Sequence, residues 1–194
     1  MALDPGSRLL PRPSSTTAVS GRRCPKTSIF QTGCSYEIKK QTDSTLDVVA
    51  SFSEFHKIMK SIPRSAYHIY TDGSRDVSSL NSGAAAIIRH GDTTIASCQE
   101  HTGQETVNYA ELHAILLGLR WISQHHTDRQ GQKFHFWTDS QYAFRLLTEQ
   151  DTAKTHFFTV QEIFQLASHL HHSYGHYFTI HRISSHVALR VPVE

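Results

Sequence analysis

Cysteine is scarce in this 194-residue chain, which has only Cys24, Cys34 and Cys98. An odd, sparse set with no CxxC pair excludes a disulfide-built scaffold and gives no zinc-site spacing. An intracellular, reducing setting is the expectation. Long apolar runs are missing too. No stretch approaches the roughly 18 apolar residues that a membrane-spanning helix needs, and the opening MALDPGSRLLPRPSS lacks the apolar centre of a secretory signal.

Net charge is close to neutral at +2, with 19% charged residues. That balance conceals an asymmetry. Residues 1–65 hold ten Lys/Arg against five Asp/Glu, whereas residues 66–194 hold nine against twelve. Nucleic-acid binding driven by bulk charge alone is therefore weak in the second part. All fifteen histidines except His56 lie there as well. Their tracts, His125-His126 and His171-His172, read as solvated surface, since no soft ligand stands beside them to make a zinc site.

Residues 1–45 are rich in Ser, Thr, Pro, Arg and Lys and poor in large apolar residues. Such a composition cannot offset chain entropy by burial, so disorder is expected. An organelle transit peptide is the alternative for this start, although its amphipathic periodicity is poor. Residues 46–65 read as a linker or short amphipathic helix closed by Ile62-Pro63. From residue 66 the pattern changes. Strands are expected at Ala66–Tyr70, Gly83–Arg89, Thr93–Gln99, Lys133–Trp137 and Tyr177–Ile183, the first three joined as an antiparallel meander. Helices are expected at Asn108–His125, Ser140–Thr148 and Ala153–His172. The first carries Leu112, Ile115, Leu116, Leu119 and Ile122 on one stripe and Ala110, Ala114, Leu117 and Trp121 on another, so it is buried on two sides. The order βββαβααβ makes an α/β fold, a five-stranded mixed sheet flanked by helices.

Three carboxylates occupy informative places. Asp72 ends the first strand in TDGS, Glu111 lies in the first turn of the long helix in NYAEL, and Asp139 ends the fourth strand in TDSQ. Each alone is ordinary: Asp-Gly and Asp-Ser are common after strands, and a Glu near a helix start suits its dipole. Brought together in a partly dry cleft, the three would repel unless protonated or bound to cations. An all-oxygen donor set selects hard ions, Mg2+ or Mn2+. Two such ions can activate water and stabilise a leaving oxygen in phosphodiester hydrolysis.

Taken together, IYTDGS, the meander, NYAELHAILLGL and FHFWTDSQYAFRLL resemble the type 1 ribonuclease H family over about residues 66–187. The Ser185-His186-Val187 segment is most similar to the versions carried by non-LTR retroelement reverse transcriptases. The resemblance implies a ribonuclease H-like fold and a metal-dependent endonuclease that cuts the RNA strand of RNA–DNA hybrids. It implies that Asp72, Glu111 and Asp139 hold two Mg2+ or Mn2+ ions and that His186 assists proton transfer or product release. It further implies that Asn108 and Gln141 contact the substrate, in keeping with an RNA minor groove lined by 2′-hydroxyls. A polymerase domain of the same polyprotein is an implied partner.

Departures from the family pattern fall near the end of the chain. The family's fourth carboxylate opens a final helix in an Asn-x-x-Ala-Asp segment, whereas VALRVPVE follows His186 here. The final helix is accordingly expected to be missing, and Glu194 is a poorly fixed substitute. Between Ser140 and Gly175 only Arg145 and Lys154 are cationic, so a polymerase domain or the basic N-terminal segment would have to help hold the hybrid. A non-catalytic nucleic-acid-binding relic of the same fold is the competing reading.

Overall fold

The computed structural model describes residues 29–35 and 44–183. The elements run β1 (Phe30–Ser35), α1 (Ser44–Ser61), β2 (Tyr67–Arg75), β3 (Ser82–His90), β4 (Thr93–Gly103), α2 (Val107–His125), β5 (Lys133–Thr138), α3 (Gln141–Leu147), α4 (Phe157–Tyr174) and β6 (Tyr177–Arg182). One mixed sheet forms in the order β1-β6-β5-β2-β3-β4. The β2-β3-β4 meander is antiparallel, while β2, β5, β6 and β1 pair in parallel. All five expected strands and all three expected helices form.

The sixth strand is a correction. Residues 30–35 fall inside the stretch expected to be disordered, yet β1 pairs with β6, Phe30 beside Phe178. Phe30 is 1% exposed and packs edge-on to Phe136 and Phe164. One aromatic anchor and an open sheet edge suffice to order a segment whose composition alone would not.

Strand alternation divides the side chains between two faces. Ile69, Phe134, Phe136, Phe178 and Ile180 point into the main core with Leu112, Ile115, Leu119 and Ile122 of α2 and Ile163, Ala167 and Leu170 of α4. Helix α2 is buried along its first stripe, whereas on the second Ala110 and Ala114 are buried and Leu117 and Trp121 only half-buried. Gly118 lies where it crosses the sheet: a methyl there would stand 2.8 Å from Ile69 Cγ2 and 2.9 Å from Phe136 Cε1. In α4 the buried set is Val160, Ile163, Ala167 and Leu170. Phe157, the first residue of the helix, is 57% exposed. On the other face Phe55, Ile58, Met59 and Ile62, from α1 and the residue after it, cover Trp137, Ile183 and Tyr70.

Of the tract histidines expected at the surface, His126 differs. His68, His113, His126, His176 and His181 are buried. Several make one ring hydrogen bond, while Nδ1 of His113, His126, His176 and His181 is buried without a partner. Trp137 Nε1 donates to His68 Nδ1 at 3.1 Å, His135 Nδ1 and His181 Nε2 are 2.9 Å apart, and His176 Nε2 meets the His126 carbonyl at 2.9 Å. Burial pushes His68 and His135 down to about 4 and His181 to about 3, so these rings are neutral at neutral pH.

Candidate functional site

Strand β2 does not stop at Asp72. It pairs with β5 only as far as Thr71 opposite Thr138, but continues beside β3 with Asp72 opposite Ala85 and Arg75 opposite Ser82. Asp-Gly was read as turn chemistry, and the antiparallel neighbour overrides it. The consequence is positional. Asp72 lies one residue past the last β2–β5 pair and Asp139 one residue past Thr138, so both carboxylates exit at the same level, just beyond that pairing.

Local hydrogen bonds fix the second of these exits. Thr71 Oγ1 donates to the Trp137 carbonyl at 3.2 Å, tying the two strand ends together. Ser140 N–H donates to Thr138 Oγ1 at 3.1 Å, and Ser140 Oγ caps α3 by accepting from Ala143 N–H at 3.2 Å. Asp139 is held between a strand end and a capped helix start.

Glu111 arrives from α2. That helix begins at Val107, with Thr106 as N-cap accepting from Tyr109 N–H, so Glu111 lies just beyond the first turn. Gly73 allows the approach. A methyl on Gly73 would stand 2.7 Å from the Ala110 carbonyl carbon and 2.8 Å from Glu111 Cα, and would also strike the Glu111 backbone nitrogen. Only a residue without a Cβ lets this turn lie against β2. The Gly73 backbone also hydrogen-bonds the Glu111 carboxylate.

The three carboxylates converge. Each of Asp72, Glu111 and Asp139 contributes an oxygen, and these atoms lie within 4.8 Å of one another. Their environments differ: Asp72 is exposed, Asp139 half-buried and Glu111 only 7% exposed. Burial first, then Asp139 and Asp72, push the Glu111 carboxyl up to about 8. Burial and Asp72 raise Asp139 also, while Arg182 opposes the rise. Glu111 Oε2 is buried with no hydrogen-bond partner. An acceptor left unsatisfied next to two further carboxylates fits a hard divalent cation, which would satisfy the orphan and relieve the repulsion.

Asn108 sits three residues before Glu111, one turn up the same helix, and Gln141 opens α3 two residues after Asp139; both are exposed. The structure therefore brings together three of the six candidate residues, the carboxylates, while Asn108 and Gln141 lie near them in sequence at the starts of α2 and α3. The sixth, His186, lies outside the described residues. Two contributors carried no sequence signal for their roles. Gly73 was hidden in a turn-like dipeptide, and Arg182, opposite Thr138 on β6, belongs to no motif.

The RNase H family pattern matches residues 64–190. No curated protein matches the chain. Among solved structures, the chain is similar to RNase H1 of the halophilic archaeon Halobacterium salinarum NRC-1, with 19% identity, a TM-score of 0.51, and coverage of 64% of this chain and 90% of that one. It is similar to LC11-RNase H1 in complex with an RNA/DNA hybrid, with 20% identity, a TM-score of 0.53, and coverage of 64% and 89%. The N-terminal RNase H domain of a Mycobacterium tuberculosis protein follows at 15% identity and a TM-score of 0.52, covering 64% and 91%. At these identities the structural likeness establishes the fold.

Proposed function

The chain belongs to the RNase H family of metal-dependent ribonucleases, and we propose that it hydrolyses the RNA strand of RNA–DNA hybrids, with Asp72, Glu111 and Asp139 holding two Mg2+ or Mn2+ ions. The observation that carries this reading is the convergence of three carboxylate oxygens within 4.8 Å, one of them buried on an unpartnered acceptor. A relative of the same fold, LC11-RNase H1, is bound to an RNA/DNA hybrid, which supports the substrate class.

Bound divalent cations supply an activated water and charge stabilisation at the leaving oxygen. The protein's part is placement. Glu111, raised to about 8, retains its proton at neutral pH and gives it up on cation uptake. Asp72, exposed at the rim, faces the entering phosphate. Asn108, three residues before Glu111, and Gln141, two after Asp139, are assigned to the RNA strand, whose 2′-hydroxyls distinguish it from DNA. His186 is assigned proton transfer or product release.

The finer reading is a retroelement-type ribonuclease partnered by a polymerase domain of the same polyprotein. Its support is the Ser185-His186-Val187 segment and the two lone cations, Arg145 and Lys154, between Ser140 and Gly175. With so few charges to grip phosphates, hybrid affinity draws on cations from elsewhere.

The test is cleavage of a hybrid labelled on either strand, in Mg2+ or Mn2+, beside duplex RNA. The RNA strand of the hybrid is cut and the DNA strand and RNA duplex are spared. Asp72→Asn lowers the rate at least about a thousandfold. Cleavage that survives Asp72→Asn refutes the assignment, and binding without cleavage supports the non-catalytic reading instead.

A further inference from the structure

The opening turns of α2, α3 and α4 meet at a residue that the cleft chemistry does not use. His156 is the N-cap of α4 and adopts a left-handed backbone, φ 58° and ψ 27°, with no side-chain capping bond. A residue with a Cβ is strained there, and such strain persists only where surrounding contacts over-determine it. Those contacts lead toward the cleft. His156 Nε2 is 3.1 Å from Thr106 Oγ1, and that same oxygen caps α2 by accepting from Tyr109 N–H at 3.1 Å. The imidazole is tilted against Tyr109 with ring centres 5.5 Å apart and edge-on to Tyr142 of α3 at 6.3 Å. Tyr142 is tied in turn to Thr155, its hydroxyl donating to the carbonyl at 3.3 Å.

Each tie ends beside a site residue. Asn108 precedes Tyr109 and Glu111 is two residues beyond it; Gln141 precedes Tyr142, three residues after Asp139. We propose that His156 is a positioning residue for the carboxylate cleft. Its left-handed backbone and its bond to Thr106 hold the opening turns of α2 and α3 so that Glu111 reaches Asp72 and Asp139, with Asn108 and Gln141 on the same rim. The catalytic part of this inference rests on the hybrid-cleaving reading; the structural part does not.

Two substitutions separate positioning from mere stability. His156→Gly relieves the left-handed backbone and removes the bridge. His156→Gln places a side-chain nitrogen at the reach of Nε2 while raising the backbone cost, because Gln tolerates a left-handed backbone less well than His. The expected pattern is crossed. His156→Gly does not lower Tm, yet hydrogen exchange at the Tyr109, Ala110 and Glu111 amides quickens about tenfold, and kcat on hybrid falls about tenfold at nearly constant KM. His156→Gln lowers Tm, yet exchange and kcat stay within about twofold of the parent. Unchanged exchange at those three amides in His156→Gly, or kcat that follows Tm in both variants, overturns the proposal. If the parent cleaves no hybrid, the function proposed above fails, and amide exchange alone still decides this one.

Discussion

Glu111 concentrates the electrostatics of the site in one side chain. It is 7% exposed, its Oε2 has no hydrogen-bond partner, and burial with two neighbouring carboxylates lifts it to about 8. The consequence for stability has a definite sign. In the unfolded chain this carboxyl ionises near its ordinary 4.5, while in the metal-free folded protein it keeps its proton up to about 8. Between those values the unfolded state binds fewer protons, so rising pH lowers the stability of the metal-free protein. Glu111→Gln removes the effect. In chelator, the variant is expected to gain on the parent by up to about 1.4 kcal/mol per pH unit across that window. Urea unfolding of both proteins at pH 5.5 and pH 8 measures the gain, and a constant difference between them contradicts the account. Comparing parent with variant also cancels the buried histidines, whose lowered values act in the opposite direction.

At the scale of elements, the site depends on one close approach, the α2 turn over β2 at Gly73. Gly73→Ala forces backbone against backbone, which no rotamer change can relieve. It is expected to cost roughly 1–3 kcal/mol in stability and to lower hybrid cleavage at least about a hundredfold, since a shift of about 1 Å in Glu111 suffices for that. Thermal unfolding and cleavage rates measured together check it; a variant with parental activity contradicts the placement. The elements around this contact were legible because their signals are local. The doubled apolar stripe of α2 reads as a helix buried on two sides, and TDSQ reads as a strand leaving into a capped helix. What was not legible depended on distant partners. β1 holds one buried aromatic in a polar stretch and is ordered by β6, almost 150 residues away in sequence. The continuation of β2 beyond Asp72 is imposed by β3 against the turn preference of Asp-Gly. The buried histidines pair through strands that only the folded sheet makes adjacent, as His135 does with His181.

At the scale of the whole molecule, the sheet joins residues far apart in sequence into one rim. The parallel half brings Asp139 beside Asp72, the meander carries β2 past its parallel partner, and α2 crosses over Gly73 to lower Glu111 between them. Around that rim three carboxylates share a volume that only a retained proton or a bound cation makes tolerable. The most direct test of this account is a calorimetric titration of the intact protein with Mn2+ at neutral pH, where Glu111 keeps its proton, repeated for Asp72→Asn, Glu111→Gln and Asp139→Asn. The parent is expected to bind Mn2+ with release of a proton, and each isosteric substitution to weaken binding at least about tenfold. Mn2+ binding that is equally strong in all four proteins would mean that these carboxylates do not form a shared cation site.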